Sequence, residues 1–212
     1  MIKICIINYG VGNLGSVQNA FARISSFSDV ALFNVCIEST PDRLKKYDKL
    51  LLPGVGAFGN AMAHLKHTGL DEAIIDFARS GKHLLGICLG LQLLFERSFE
   101  FGEHKGLGLL EGEVVGFSNI APLKIPHIGW NSCHFTYQAR DSKLFCGIND
   151  KSFLYFIHSF HIKAREEDIL AYCDYGYPFG AIVNQENLFG IQPHPEKSHN
   201  VGLKLLANFI NL

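Results

Sequence analysis

Gly86-Ile87-Cys88-Leu89-Gly90-Leu91-Gln92, entered from the apolar run His83-Leu84-Leu85, is the stretch on which fold and chemistry turn. A strand enters, a thiol stands between two glycines, and a helix-forming run (Leu91-Gln92-Leu93-Leu94-Phe95-Glu96) leaves. Gly-x-Cys-x-Gly is the thiol form of the nucleophile elbow, a sharp strand-to-helix turn that lifts one side chain clear of a sheet. A Cβ at either glycine would clash where the turn is tight. The helix N-terminus beyond it favours the thiolate, the reactive form of cysteine. Cys88 is therefore placed for attack.

On the N-terminal side of this turn, strand and helix signals alternate. Residues 2–7 form a buried strand. Residues 13–24 place Leu14, Val17, Phe21 and Ile24 on one helical face. Residues 30–33 predict a second strand and residues 49–52 a third, ending at Pro53-Gly54. Helices follow over 59–67 and 70–79, broken at Thr68-Gly69, and residues 83–87 feed the elbow. Such alternation predicts a mostly parallel sheet with helices on both faces. The C-terminal half changes character. Short strands over 114–117, 131–137, 152–158, 169–175, 180–184 and 188–192 read as antiparallel additions to the same sheet. The chain closes on a helix over 200–211. Without a repeat, a low-complexity tract or a linker, residues 1–212 read as one α/β domain.

Composition narrows the function classes. The 212 residues are 48% hydrophobic, and Lys+Arg 19 against Asp+Glu 20 leaves a net charge of −1. No basic stripe marks a nucleic-acid partner, and no apolar run is long enough to span a bilayer. The apolar start, residues 1–7, is too short for a signal peptide. The six cysteines lack a C-x-x-C pair, which suggests reduced thiols in a cytoplasmic protein. Cys5 and Cys173 lie in apolar strand-like runs and read as inert buried thiols.

A nucleophilic thiol needs a base, and the base an orienter. Among ten histidines, His194 stands apart, in Gln192-Pro193-His194-Pro195-Glu196-Lys197-Ser198 at the end of an apolar strand. Alone it would read as an idle strand-end imidazole. Glu196 lies two residues on, so in an extended segment both side chains share a face. Cys88, His194 and Glu196 thus form a candidate triad, with His194 as acid and base. His158 reads as a structural or backbone-positioning residue. No His/Cys/Asp spacing suggests zinc or any other metal. The glycine-rich turn Pro53-Gly54-Val55-Gly56 and the N–H of Leu89 can aim donors at an oxyanion. No Gly-Lys-Ser/Thr follows that turn, which argues against a phosphate-binding loop. Gly10-x-Gly12-x-x-Gly15 matches a dinucleotide spacing, but no acidic residue closes the expected second strand.

These segments, with Tyr9-Gly10-Val11-Gly12-Asn13-Leu14, Pro126-His127-Ile128-Gly129-Trp130-Asn131 and His158-Ser159-Phe160, resemble the class I (triad) glutamine amidotransferases over essentially the whole chain. Within them the match is to glutaminase subunits of imidazole glycerol phosphate synthase. The resemblance implies a flavodoxin-like fold and no cofactor. It implies that Cys88 attacks the side-chain amide of glutamine to give a thioester and ammonia. Gln92 and the backbone at Ser159 and Phe160 would hold the substrate's amino-acid end. Gly54 and Val55 would line the oxyanion side, a peptide flip being one route, with Leu89 opposite. The ammonia would pass to a (β/α)8-barrel partner making imidazole glycerol phosphate and AICAR in histidine biosynthesis. Asn13, Trp130 and Lys197 would face that barrel; their alternative roles are helix cap, core indole and solvated lysine. Three positions depart from the family pattern: Pro193 for an aromatic, Gly15 for a polar or basic residue, and Phe160 for tyrosine. Similar subunits supply ammonia for amidination of surface-polysaccharide sugars, and the residues alone do not separate the two pathways.

Overall fold

The computed structural model describes residues 1–118 and 122–212. Its centre is five parallel strands: β1 (Ile2–Ile7), β2 (Phe33–Glu38), β3 (Lys49–Gly54), β4 (His83–Cys88) and β13 (Leu188–Ile191), in the order β2-β1-β3-β4-β13. This is the flavodoxin-like order, with the last strand of the chain in fifth place. The sheet continues through β12 (Pro178–Gln185), β10 (Phe160–Ala164), β7 (Leu110–Gly116), β5 (Phe95–Ser98) and β6 (His104–Lys105). A branch leaves β12 through β11 (Ile169–Asp174) to β8 (His127–Phe135) and β9 (Ser152–His158). All pairings in that branch are antiparallel.

Strand alternation builds two cores. Ile4, Ile6, Leu51, Leu85 and Ile87 face α1 (Leu14–Ile24) and α5 (His199–Asn211). Cys5, Ile7, Leu50, Leu52 and Leu84 face α2 (Phe58–Thr68), α3 (Leu70–Arg79) and α4 (Leu89–Leu93). The central strands are apolar on both sides because both faces are covered. Asn13 starts α1, its side chain accepting from Ser16 N, and Gly69 at φ 72° separates α2 from α3. Among the described residues, no helix is long and apolar enough to cross a membrane.

Three expectations change. The second strand lies at Phe33–Glu38 rather than 30–33, because pairing with Ile2–Ile7 in parallel register fixes its length, and as an edge strand it needs no continuous apolar run. It therefore does end on an acid, Glu38, but that carboxylate accepts from Ser39 N and Thr40 N and pairs with Arg43, so it is committed to its own turn. The helix after the elbow stops at Leu93, and β5 begins at Phe95. Leu107, Leu109 and Leu110 donate backbone N–H groups to Leu93 and Leu94 carbonyls, and fully buried Phe95 pairs with Leu110. Tertiary pairing overrides helix propensity there. The third concerns β5, β6 and β10, which the apolar pattern does not announce.

Candidate active site

Cys88 closes β4 and caps α4 at φ 54°, ψ −112°. A non-glycine residue at positive φ is strained and persists only where surroundings hold it. Here the glycines hold it. A Cβ on Gly86 would stand 2.6 Å from Gly90 O, and one on Gly90 would run into Leu52 O. The turn closes onto the neighbouring strand as tightly as backbone allows. Because α4 spans only Leu89–Leu93, its aligned dipole is short, and close neighbours dominate the surroundings of the sulfur.

Register brings the rest together. β3 and β13 flank β4, with Gly54 opposite Cys88 and Ile191 opposite Ile87. Gln192 and His194 therefore emerge beside the thiol, at the carboxyl ends of parallel strands where open α/β sheets bind ligands. His194 Nδ1 lies 2.7 Å from Glu196 Oε1, with both side chains buried. The spacing works through a 3-10 turn, Pro195–Lys197, rather than the extended segment expected from sequence. The prolines and the three-residue turn leave no room for a continued strand. His194 N donates to Tyr155 O, and Ser198 Oγ donates to His194 O while accepting from Tyr155 N. Burial opposes charge on His194, but the Cys88 thiol and the Glu196 carboxylate outweigh it and raise its pKa. Among the described residues His194 Nε2 is buried without a hydrogen-bond partner, which leaves it free for proton exchange.

A cavity of about 240 Å³ opens on the sulfur. Cys88, Leu89, Gln92, Ser159 and Phe160 line it, with Gly56 and Glu100. Gln92 is buried and donates to Phe160 O at 2.9 Å. Gly54 and Val55 do not line this cavity. Gly54 is buried, where a Cβ would meet Tyr9 Oη at 2.7 Å, and Val55 is exposed. Tyr9 Oη donates to Pro53 O and so secures the same turn. Glu100 and Gln192 were not assigned from sequence. Glu100 carried no pattern; its carboxylate accepts from Phe58 N at 2.6 Å. Gln192 lay in the segment already singled out, and only the β4–β13 register shows that it reaches the sulfur.

The remaining candidates are placed as follows. Asn13 caps α1 and is exposed. Trp130 is 43% exposed, so it is not a core residue, and it stacks on His199 with ring centroids 4.9 Å apart. Lys197 is exposed. Pro193 is buried between Gln192 N, which donates to Ala181 O, and His194 N; both neighbouring donors are used, so the missing N–H leaves no gap. A Cβ on Gly15 would meet only Asn13 Oδ1 within 4 Å. Burial pushes the Cys5 and Cys173 thiols up to about 12.

Residues 5–212 match the family described as glutamine amidotransferase class-I, and the chain belongs to that family. Within it, the chain is similar to imidazole glycerol phosphate synthase subunit HisH of Helicobacter hepaticus, with 69% identity covering 100% of this chain and 99% of the relative. The same-named subunit of Wolinella succinogenes is 51% identical, covering 98% of each. Among solved structures, PurLQS from Thermotoga maritima superposes with a TM-score of 0.75 at 20% identity, covering 99% of this chain and 98% of that one. That likeness speaks to the fold.

Proposed function

We propose that this chain, acting as one domain over residues 1–212, is the glutaminase subunit of an imidazole glycerol phosphate synthase in the cytoplasm. Glutamine enters the cavity with its amide toward Cys88. The Glu100 carboxylate suits the substrate ammonium, and Gln92 with the Ser159–Phe160 backbone suits its amino-acid end. His194 Nε2 takes the thiol proton, and the resulting thiolate attacks the amide carbon. The tetrahedral oxyanion is met by Leu89 N–H and by the Gly54–Val55 turn once that turn has moved toward the cavity. His194 then protonates the leaving nitrogen, the C–N bond breaks, and ammonia and a thioester remain. Water adds to the thioester, losing its proton to His194. Glutamate leaves, and the thiolate regains the proton. Glu196 holds the imidazole throughout.

The carrying observation is that Cys88 and the buried His194–Glu196 pair meet at adjacent strand ends beside this cavity. Ammonia passes to a (β/α)8-barrel subunit docked against the face bearing Asn13, Trp130 and Lys197, and ends in imidazole glycerol phosphate and AICAR. The naming of the relatives favours this destination over sugar amidination. Co-purification from the native cell tests it: a barrel subunit that makes imidazole glycerol phosphate from glutamine is expected, and a sugar-amidating partner would overturn the pathway.

A further inference from the structure

A chain of hydrogen bonds with a fixed direction ends at the Cys88 sulfur. The Phe160 carbonyl can only accept, and it faces His158 Nδ1 at 2.8 Å and Gln92 Nε2 at 2.9 Å. His158 Nδ1 therefore carries a proton, and its Nε2 accepts from His127 Nδ1 at 3.1 Å. His127 Nε2 then accepts from Asn131 Nδ2 at 3.4 Å, whose other hydrogen serves Asp174 O at 2.8 Å. Both rings are neutral in this scheme. Burial lowers His158 to about 3 and His127 to about 4, which agrees.

On the other side of Phe160, Gln92 Nε2 also donates to Gln192 Oε1 at 3.0 Å. Reversing the Gln92 amide would set oxygen against the Phe160 carbonyl. Reversing Gln192 would set two donors face to face. Gln192 Nε2 is thus compelled toward Cys88 Sγ, at 3.7 Å. Gln192 is fully buried, so water cannot replace any of these partners.

We propose that Gln192 is a further catalytic residue of the glutaminase site, donating to the Cys88 sulfur and favouring its thiolate, with His158 as a positioning residue that holds in place the Phe160 carbonyl, whose acceptor-only character sets the donor's direction. The inference rests on Cys88 being the nucleophile. An N–H aimed at sulfur stabilises the anion more than the thiol. The same bond restrains the side chain at its strained turn. Other titratable groups around the sulfur are His194 with Glu196, Tyr9, His158 and Glu100. All stay in place when only Gln192 is changed.

The test is peptide-resolved alkylation of Cys88 by iodoacetamide across neutral pH in the full chain, a readout that does not need glutamine. Gln192→Glu keeps an acceptor for Gln92 and replaces the donor to sulfur with a carboxylate oxygen, whose charge also opposes the thiolate. It is expected to slow alkylation at neutral pH by about tenfold, as suits one hydrogen bond to a charged group, and to move the profile to higher pH. Gln192→Met should act in the same direction. In the complex with the partner, kcat should fall while KM for glutamine stays within about twofold. If these variants do not fold, His158→Asn, which keeps a donor for Phe160 O, should preserve the profile, and His158→Phe should displace it. Unchanged alkylation in the folded Gln192 variants, or a raised KM with unchanged kcat, overturns the proposal. A wild-type chain that shows the alkylation response but never hydrolyses glutamine would instead sink the glutaminase reading alone.

Discussion

Glu196 Oε1 sits 2.7 Å from His194 Nδ1 across a three-residue 3-10 turn. The carboxylate fixes the tautomer by accepting from Nδ1–H and turns Nε2, unpartnered among the described residues, toward proton exchange. The turn is pinned from outside. A Cβ on Gly202 of α5 would collide with Pro195 O, and Ser198 ties His194 to Tyr155 of β9. Glu196→Gln should therefore lower kcat by about 10² or more with little change in KM or melting temperature. Since Glu196 helps raise the His194 pKa, the variant's activity profile should shift toward lower pH. Full activity in Glu196→Gln would remove Glu196 from the mechanism.

Cys88→Ala is expected to abolish glutamine-dependent synthesis by the complex while synthesis from added ammonia persists. Parallel assays with glutamine and with an ammonium salt decide it, and equal loss of both would contradict the ammonia-donor role.

Gly90 and Gly15 make opposite predictions. A methyl on Gly90 meets the Leu52 carbonyl, whereas one on Gly15 meets open space beside Asn13. Gly90→Ala should cost about 3 kcal/mol or more. Gly15→Ala, within α1, should stabilise by about 0.5–1 kcal/mol. Urea denaturation of both reads the difference.

Acid should loosen the molecule before its carboxylates titrate. Burial holds His158 at about 3 and His127 at about 4, below the ordinary value of 6.5. Between those limits the unfolded chain binds protons that the folded chain refuses. The stability that these two residues contribute is full above pH 6.5 and falls as pH drops toward 4, by up to about 1.4 kcal/mol per pH unit for each residue. Unfolding free energies that stay flat from neutral pH to pH 5 would contradict the neutral pair. His158→Asn should flatten the slope.

Trp130→Ala tests the docking face. The indole is half-exposed and rests on His199, so its loss should leave the melting temperature of the isolated chain nearly unchanged. Affinity for the partner subunit should fall by about tenfold or more, as for a buried aromatic anchor. Titration calorimetry with the partner measures it, and an unchanged Kd would move the interface elsewhere.

Much of this was legible from residues alone. β1, β3 and β4 are short apolar runs closed by turn residues, and their pattern leaves a buried parallel strand as the simplest reading. The elbow was legible because tight backbone approach demands glycine at fixed spacing, which is a local requirement. β5 was not, since Leu91 to Glu96 carries helix propensity and only the 107–110 segment captures its carbonyls. Glu100 was not, since its place in the cavity depends on its bond to Phe58 N.

The chain's order of residues settles local matters: where a thiol can stand in a strained turn, where a helix must break, which imidazole has a carboxylate two residues away. Distance across the sheet is another matter. Gln192 is 104 residues from Cys88, and nothing in the spacing says which way its amide points. That direction follows from β13 lying beside β4 and from a carbonyl at Phe160 that can only accept. Hydrogen-bond polarity is a property of a closed network, so it exists only once the strands have paired.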